Sequence, residues 1–479
     1  MKKIISVILC VVMVFLMGTV AFAETDKTDV PIIEVYGFGR TNLIKDKGTE
    51  NEVSIFMPST DLLMPAVGKI ILPLVVYLIT GKSEVFAKAL VSAATDVLEP
   101  LRFTDDGEPA YDNISLEDEP GDLIFRYDWR YDMLETADKL NEYIQQVKEE
   151  TGSEKVALVP ESMGGAVTMS YIYKYGCDDI QSVVFRSSAM EGITLMGELF
   201  TRSLSIDTDS VLGYINGFLL GSTADRVLLR GLINTAGRIP VALLARFLNG
   251  FVNDELDYVY DECLCGLFGN IPGLWSFVPD EYYEAAKAAM LDSTKNAKLI
   301  EKIDNYQKNV RGNIVPMLKD MQSKGVKVAV ISNYGLYGVP IIPNDTYQCD
   351  FLVDTKFTSI GATCSELGST LGSGYVQAKA DGHNHLSPDG QIDASTCAFP
   401  DNTWFVKGMV HTWYNDDYDD MVEWIINESE SASVYENPKY PQFLYDSEDD
   451  ESLKPLETKD PNPIEDSIFV YLSKKLLNK

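Results

Sequence analysis

An alternation of strand and helix patterns over residues 155–185 limits the possible folds most strongly. Lys155–Pro160 is a largely apolar run that predicts a buried strand, and Met163–Tyr175 predicts a helix that Gly176 closes. Ile180–Phe185 predicts a further strand. Because the joints are short, strands of this kind run parallel and both faces of their sheet are covered by helices. The segment therefore predicts an α/β protein with a mostly parallel sheet.

The same pattern extends to both sides of this segment. Val30–Phe38 predicts a short strand that ends in a glycine turn, and Asp132, with Glu135 three residues on, predicts a helix start. From about 190 to about 320 the chain has helical patterns without a clear strand, and a sheet pattern returns at Val326–Gly335. A helical block between strands predicts a cap over the carboxyl edge of the sheet.

The two ends of the chain differ from the middle. Residues 1–23 combine a basic start, an apolar run and a small-residue cleavage site at Ala21–Ala23, which predicts a cleaved signal peptide and a secreted protein; a retained anchor is the alternative. We expect the α/β domain over 24–430. Residues 431–479 are acidic and rich in Ser, Pro and Tyr, and predict a weakly ordered tail.

The net charge limits the possible binding partners of the protein, and the cysteine content bears on its disulfides. The chain carries 72 acidic and 40 basic residues, a net charge of -32, so we expect no nucleic-acid partner and no strong binding to anionic membranes. The apolar content of 46% is that of a globular protein with a core. Disulfides are allowed in a secreted protein, and Cys364 with Cys397 is the first candidate pair.

The corner VALVPESMGGAVTMS is the first candidate for chemistry. It predicts a strand, a sharp turn at Ser162 and a helix. Such a turn lifts a hydroxyl off the sheet and aims a helix N-terminus at it, as a serine nucleophile requires. The pattern is that of a Gly-x-Ser-x-Gly turn with Pro160 in place of the first glycine. Ser162 is therefore the predicted nucleophile.

A serine nucleophile needs a base and an acid that orients it. Of three histidines in the chain, His411 follows an apolar run and precedes a helix pattern, and it is the predicted base. Asp350 follows the strand that comes after the helical block and is the preferred acid; Asp354 and Asp345 are the alternatives.

The other two histidines suggest a different chemistry. His383 and His385 are spaced to share one face of a strand, and a metal site with Asp381, Asp389 or Asp393 is one reading. A polar loop with ordinary hydrogen bonds is the other, and we prefer it. We therefore expect no metal and no cofactor.

The oxyanion of an acyl-transfer reaction needs two backbone donors. The N–H of Met163, directly after Ser162, is one candidate. Phe38 is the other, because Gly37 and Gly39 free the backbone around it after an early strand.

Four segments together resemble a known family. PIIEVYGFGRTNL, FRYDWR, KVALVPESMGGAVTMSYIYKYG and NTWFVKGMVH resemble the oxyanion loop, the Tyr-Asp-Trp-Arg segment, the nucleophile turn and the histidine segment of the lecithin:cholesterol acyltransferase-like family. The resemblance implies an α/β-hydrolase fold and lipase, phospholipase or lipid acyltransferase activity. The order serine, aspartate, histidine is that of α/β-hydrolases.

The chain departs from the family pattern beside the nucleophile. Pro160 replaces a glycine, and Glu161 brings a carboxylate that we expect to raise the pKa of the base or to repel an anionic substrate. The sequence thus predicts a secreted serine hydrolase acting on carboxylic esters, lipid-like ones above all. A catalytically inactive lipid-binding protein of the same fold is the second hypothesis, and a metal-dependent hydrolase the third.

Overall fold

A computed structural model describes residues 30–55, 60–117, 123–217, 224–235, 237–342, 347–447 and 452–457. The predicted signal peptide and the candidate acid Asp345 lie outside these residues. Within them, none of the helices combines the length and the apolar character needed to cross a membrane.

A mostly parallel sheet of eight strands organises the chain, in the order β13-β12-β11-β8-β7-β6-β1-β5. Within this sheet only the pair β12 and β13 is antiparallel. The remaining strands form two small sheets. The strands are β1 (Ile32–Val35), β2 (Leu43–Lys45), β3 (Val53–Ser54), β4 (Ile114–Leu116), β5 (Ile124–Phe125), β6 (Val156–Pro160), β7 (Ile180–Arg186), β8 (Lys327–Tyr334), β9 (Thr363–Cys364), β10 (Ile392–Asp393), β11 (Thr403–Lys407), β12 (Phe443–Ser447) and β13 (Ser452–Pro455).

Helices cover both faces of the sheet. The α-helices are α1 (Thr60–Thr80), α2 (Glu84–Leu98), α3 (Met133–Thr151), α4 (Gly164–Tyr175), α5 (Thr194–Phe200), α6 (Thr208–Gly217), α7 (Ala224–Thr235), α8 (Arg238–Val259), α9 (Asp280–Met290), α10 (Ala297–Asn309), α11 (Ile314–Ser323), α12 (Thr355–Thr358) and α13 (Asp416–Asn427). A π-helical segment, Tyr260–Gly269, continues α8, and short 3-10 helices lie at Glu99–Leu101, Pro272–Phe277, Arg311–Asn313, Ala394–Thr396 and Pro400–Asn402.

Strand β6 shows why the sheet is covered on both sides. Its side chains alternate between faces, so Val156 and Leu158 join a core cluster with α3 and α4, whereas Ala157 and Val159 join a second cluster with α13. All five residues of β6 are buried. The continuous apolar run seen in the sequence is the consequence of this double burial.

The predicted fold class is confirmed. Between β7 and β8, helices α5 to α11 form the inserted cap, as the helical block predicted. Helix α3 begins after Asp132, whose carboxylate accepts hydrogen bonds from the N–H groups of Leu134 and Glu135, and it ends at Gly152 with φ of 73°. The strand order, the parallel pairing and the cap are those of an α/β-hydrolase fold.

Two expectations need correction. The weakly ordered tail was predicted from residue 431, but β12 and β13 belong to the main sheet, with Leu444 and Leu453 buried in its core. Both strands are short and flank an acidic run of the sequence, which hid them. Cys364 and Cys397 are free thiols that lie in one apolar cluster, so the predicted pair is not bonded.

Candidate active site

Ser162 stands at a strained corner between β6 and α4. Its φ is 51°, a left-handed conformation that non-glycine residues seldom adopt. Its carbonyl accepts hydrogen bonds from the N–H groups of Gly165 and Ala189, at 3.1 and 2.9 Å, which hold the corner in place. Strain of this kind persists only where the surroundings fix it, and it is typical of functional sites. The turn therefore has the geometry that the sequence predicted.

Three glycines let neighbouring segments pack closely around the Ser162 corner. A Cβ at Gly37 would lie 2.7 Å from the Ser162 Cβ and 3.3 Å from its hydroxyl oxygen. A Cβ at Gly164 would lie 2.1 Å from the Val35 carbonyl oxygen, and one at Gly165 would lie 2.7 Å from the Ser188 Cβ. These positions exclude any larger residue, so the loop after β1 is in direct contact with the serine.

His411 and Asp350 form a buried pair. The Nδ1 of His411 lies 2.7 Å from the Oδ2 of Asp350, and the His411 backbone N–H donates to the Asp350 carbonyl at 2.8 Å. The other oxygen of Asp350 accepts from the N–H groups of Leu352 and Val353, at 3.1 and 2.8 Å. Because an ionised carboxylate only accepts, it holds the proton of a neutral ring on Nδ1 and leaves Nε2 as the basic atom.

The electrostatic surroundings of the histidine connect it with the serine corner. Burial disfavours the charged ring, but the charge and hydrogen bond of Asp350, with a contribution from Glu161, outweigh this effect, and the pKa of His411 is raised above its usual value. Glu161 directly precedes Ser162, so His411 and Ser162 share one neighbour. No hydrogen bond joins the Ser162 hydroxyl to the His411 ring among the described residues. In sites without substrate this contact is often longer than a hydrogen bond.

Asp354 has a different role from Asp350. Its carboxylate accepts hydrogen bonds from the N–H of Thr194, at 2.8 Å, and from the Thr194 hydroxyl. Burial raises the pKa of Asp354 to about 6, against the effect of these bonds. Thr194 is the first residue of α5, so Asp354 fastens the start of the cap to the sheet domain.

Glu161 lies in a buried charge cluster that the sequence reasoning did not anticipate. It is fully buried, 3.8 Å from Arg186 and 4.0 Å from Arg40. Arg186 also pairs with Glu34 at 3.3 Å and with Asp419 at 3.1 Å. A buried carboxylate is tolerated only with such partners. Arg186 ends the strand next to β6 and forms a parallel bridge with Glu161, a pairing between distant segments that the sequence pattern does not reveal.

The two predicted oxyanion donors belong to segments that adjoin Ser162. Met163 is fully buried at the start of α4, where the first N–H groups of a helix have no partner within the helix. Phe38 follows Gly37, which is in contact with Ser162. The carbonyl of Tyr36 accepts a hydrogen bond from the Tyr127 hydroxyl at 2.8 Å, which anchors the loop to the Tyr-Asp-Trp-Arg segment.

The cap contacts both loops that carry the site. The ring of Phe38 packs edge-on against Phe277 of the cap, with centroids 5.9 Å apart. The ring of Tyr214 in α6 packs against Phe351, directly after Asp350, at 5.0 Å. The cap thus lies against the loop after β1 and against the loop that carries Asp350.

The remaining histidines do not join this site. His385 is buried, with its Nε2 2.9 Å from Asp381, and His383 stacks on Tyr435 with centroids 4.3 Å apart. The other two aspartates that the sequence offered as metal ligands make different contacts. Asp389 accepts hydrogen bonds from the Tyr334 hydroxyl and the Lys407 ammonium, and Asp393 accepts hydrogen bonds from Ser395 and Tyr375. Among the described residues, His385 lies near the N-terminal ends of β11 and β12, whereas Ser162 follows the C-terminal end of β6 and His411 follows that of β11.

Together, the parallel sheet, the strained serine corner and the buried His-Asp pair define an α/β-hydrolase-fold protein with a candidate catalytic triad. No protein-family model matches the chain, and no curated protein matches it. A chain from the crystal structure of the Tle4–Tli4 complex has a TM-score of 0.25 and 13% identity, over 64% of this chain and 75% of that one. A protein from Pseudomonas aeruginosa proposed to be an epoxide hydrolase has a TM-score of 0.14 and 14% identity, over 47% and 60% of the two chains. Likenesses this slight carry no weight beside the topology of the sheet and the geometry of the site.

Proposed function

We propose that the protein is an exported serine hydrolase that acts on carboxylic esters of lipid-like substrates. The observation that carries the proposal is the buried 2.7 Å contact between His411 Nδ1 and Asp350 Oδ2, together with a serine held at φ of 51° in the same region. An aspartate that fixes the ring by Nδ1 leaves Nε2 to accept a hydroxyl proton. The family resemblance noted in the sequence agrees with this chemistry.

The proposed reaction has two halves, the formation and the breakdown of an acyl-enzyme. The Ser162 oxygen attacks the ester carbonyl carbon while its proton passes to His411 Nε2, and the N–H groups of Phe38 and Met163 hold the resulting oxyanion. The tetrahedral intermediate collapses, the alcohol leaves with the proton from His411, and an acyl-enzyme remains. Water then attacks the acyl carbon while its proton passes to His411, and the bond to the Ser162 oxygen breaks as His411 returns the proton to Ser162, which releases the acid; an acceptor alcohol in place of water gives acyl transfer.

An exposed apolar surface supports a lipid-like substrate. Ile79 of α1 is 78% exposed, and Ile239 and Leu243 of the cap helix α8 are 70% and 64% exposed. The two helices are in contact, because the ring of Tyr77 lies 4.4 Å from that of Phe247, one turn after Leu243. Large apolar side chains on neighbouring helices are typical of surfaces that meet lipid.

The activity is tested with the Ser162→Ala variant. We expect the wild-type protein to hydrolyse p-nitrophenyl esters and the variant to lose roughly 10⁴–10⁶-fold in kcat, because the nucleophile is gone and only binding and the oxyanion donors remain. The thermal unfolding temperature of the variant serves as the control for folding. A wild-type protein that binds lipid vesicles without cleaving any ester would instead support the inactive lipid-binding alternative.

The substrate class is tested with the double variant Ile239→Ser and Leu243→Ser. Removing two exposed apolar side chains reduces the area available to lipid, so the ratio of long-chain to water-soluble ester turnover should fall about tenfold. Neutral phosphatidylcholine vesicles should bind better than anionic ones, because the chain has a net charge of -32. An unchanged ratio in the double variant would contradict the assignment of this surface.

A further inference from the structure

A second histidine, His385, lies among oxygen ligands at a place remote from Ser162. Its Nε2 is 2.9 Å from Asp381 Oδ2 and 3.5 Å from Asp401 Oδ1. One ligand atom from each of these three residues lies within 4.8 Å of the others. The histidine ring is fully buried, while both carboxylates reach solvent.

The hydrogen bonds of Gln442 fix the protonation of this ring. The Gln442 amide nitrogen donates to the carbonyls of Pro400 and Thr403, at 2.6 and 3.1 Å. Its oxygen, 2.8 Å from His385 Nδ1, is therefore an acceptor, and Nδ1 must carry the proton. In the neutral ring, the lone pair of Nε2 then faces two carboxylates, with the Tyr435 hydroxyl 3.4 Å away.

Two carboxylates repel a lone pair that faces them unless a cation lies between, either a proton on Nε2 or a metal ion. We propose that His385 Nε2, Asp381 and Asp401 bind a divalent cation of the zinc type, with water completing the coordination. An imidazole and two carboxylates are ligands that zinc accepts, and a zinc-bound histidine commonly donates its other N–H to a neighbouring acceptor, as His385 does to Gln442. Zinc ligands at about 2.0–2.1 Å from the metal sit about 3.3 Å from each other, and the distances from His385 Nε2 to Asp381 and Asp401, 2.9 and 3.5 Å, are close to this spacing.

The place of the site in the fold assigns its role. Asp401 lies in the short helix Pro400–Asn402 before β11, and Gln442 directly precedes β12. His411 follows the opposite end of β11, which is about 16 Å away across a strand of five residues. The cation would fasten the loop that carries Asp381 to the beginnings of two strands, and it takes no part in ester chemistry.

The test uses the full, untagged protein and zinc chloride alone. After removal of metals with a chelator, titration calorimetry should detect one zinc ion per chain, and zinc should raise the unfolding temperature by a few degrees. Asp401→Asn changes a half-exposed side chain and should weaken zinc binding at least tenfold. His383→Gln is the matched control, because His383 stacks on Tyr435 and contributes no ligand atom.

Three results would overturn the proposal. The first is that the wild-type protein binds no zinc at micromolar concentrations. The second is that the Asp401→Asn and Asp381→Asn variants bind zinc as tightly as the wild type. The third is that His383→Gln loses zinc binding. The first result means that His385 is protonated and paired directly with Asp381. Because binding and unfolding are measured, all these outcomes are independent of whether Ser162 cleaves esters.

Discussion

Two buried histidines in this protein each face aspartate, yet the two rings are held in opposite ways. In His411 the atom fixed by a carboxylate is Nδ1, 2.7 Å from Asp350. In His385 Nδ1 is fixed by the neutral amide of Gln442, at 2.8 Å, and the carboxylate of Asp381 faces Nε2. The first arrangement leaves a basic nitrogen for a hydroxyl proton, and the second leaves a lone pair that faces the carboxylates of Asp381 and Asp401. The partner of Nδ1 therefore separates a candidate base from a candidate metal ligand.

The largest effect is expected from the matched pair Asp350→Asn and Asp381→Asn. In the first, an amide can hold the ring in the wrong tautomer, so kcat for a soluble ester should fall about 10³–10⁴-fold. In the second, kcat measured well below the unfolding temperature should fall less than tenfold, while the stabilisation by zinc is lost. Equal losses of kcat in both variants would break the distinction between the two sites.

A second pair of variants, Gly37→Ala and Gly382→Ala, perturbs the backbone near each of the two histidine sites. A Cβ at Gly37 would lie 2.7 Å from the Ser162 Cβ, so we expect kcat to fall roughly 10²–10³-fold, as for loss of an oxyanion donor. Gly382 has φ of 98° and open space around it, so alanine strains only the loop of His385. Zinc titration and ester kinetics on both variants check this; a Gly37→Ala enzyme with full kcat would contradict the placement of the loop.

The smallest effect is expected for Glu161→Gln, and it is a shift in pH dependence. Ester hydrolysis needs neutral His411, so activity falls as the pH drops through the pKa of this ring. Glu161 helps to raise that pKa, and removing its charge should move the acidic limb of kcat/KM to lower pH. The raised pKa also means that His411 contributes stability at low pH that is lost as the pH rises through its folded-state value.

The zinc affinity of the same variant is the control for this prediction. The zinc affinity of Glu161→Gln should follow the same pH profile as that of the wild type, because His385 lies at the other end of the strands. An acidic limb that stays in place, or moves to higher pH, would show that Glu161 does not act on the base.

The sequence predicted the parts of the fold that repeat a simple pattern. The double burial of β6, the capped start of α3 at Asp132 and the helical cap all follow from local periodicity. Strands β12 and β13 did not, because they are short and flank an acidic run of the sequence, and only their pairing with the sheet reveals them. Local sequence patterns therefore predicted the central strands of the sheet but not the strands β12 and β13 at its edge.

The candidate site divides in the same way. Ser162, Asp350 and His411 were predicted from their places after strands, which parallel topology brings to one edge. The preference for Asp350 over Asp354 rested on position alone, and the structure gives the difference in partners: His411 for one and Thr194 for the other. The Arg186 contacts and the role of Gln442 depend on neighbours far apart in sequence, which no local pattern reports.

The most direct test of the central claim is labelling with a fluorophosphonate probe, followed by mass spectrometry of the peptide that contains Ser162. Such probes react with serines that a neighbouring base activates. We predict labelling of Ser162 in the wild type and in His385→Gln, and a loss of at least 10³-fold in labelling rate in His411→Gln. Labelling of Ser162 that proceeds equally fast without His411, or no labelling in any folded variant, would contradict the account.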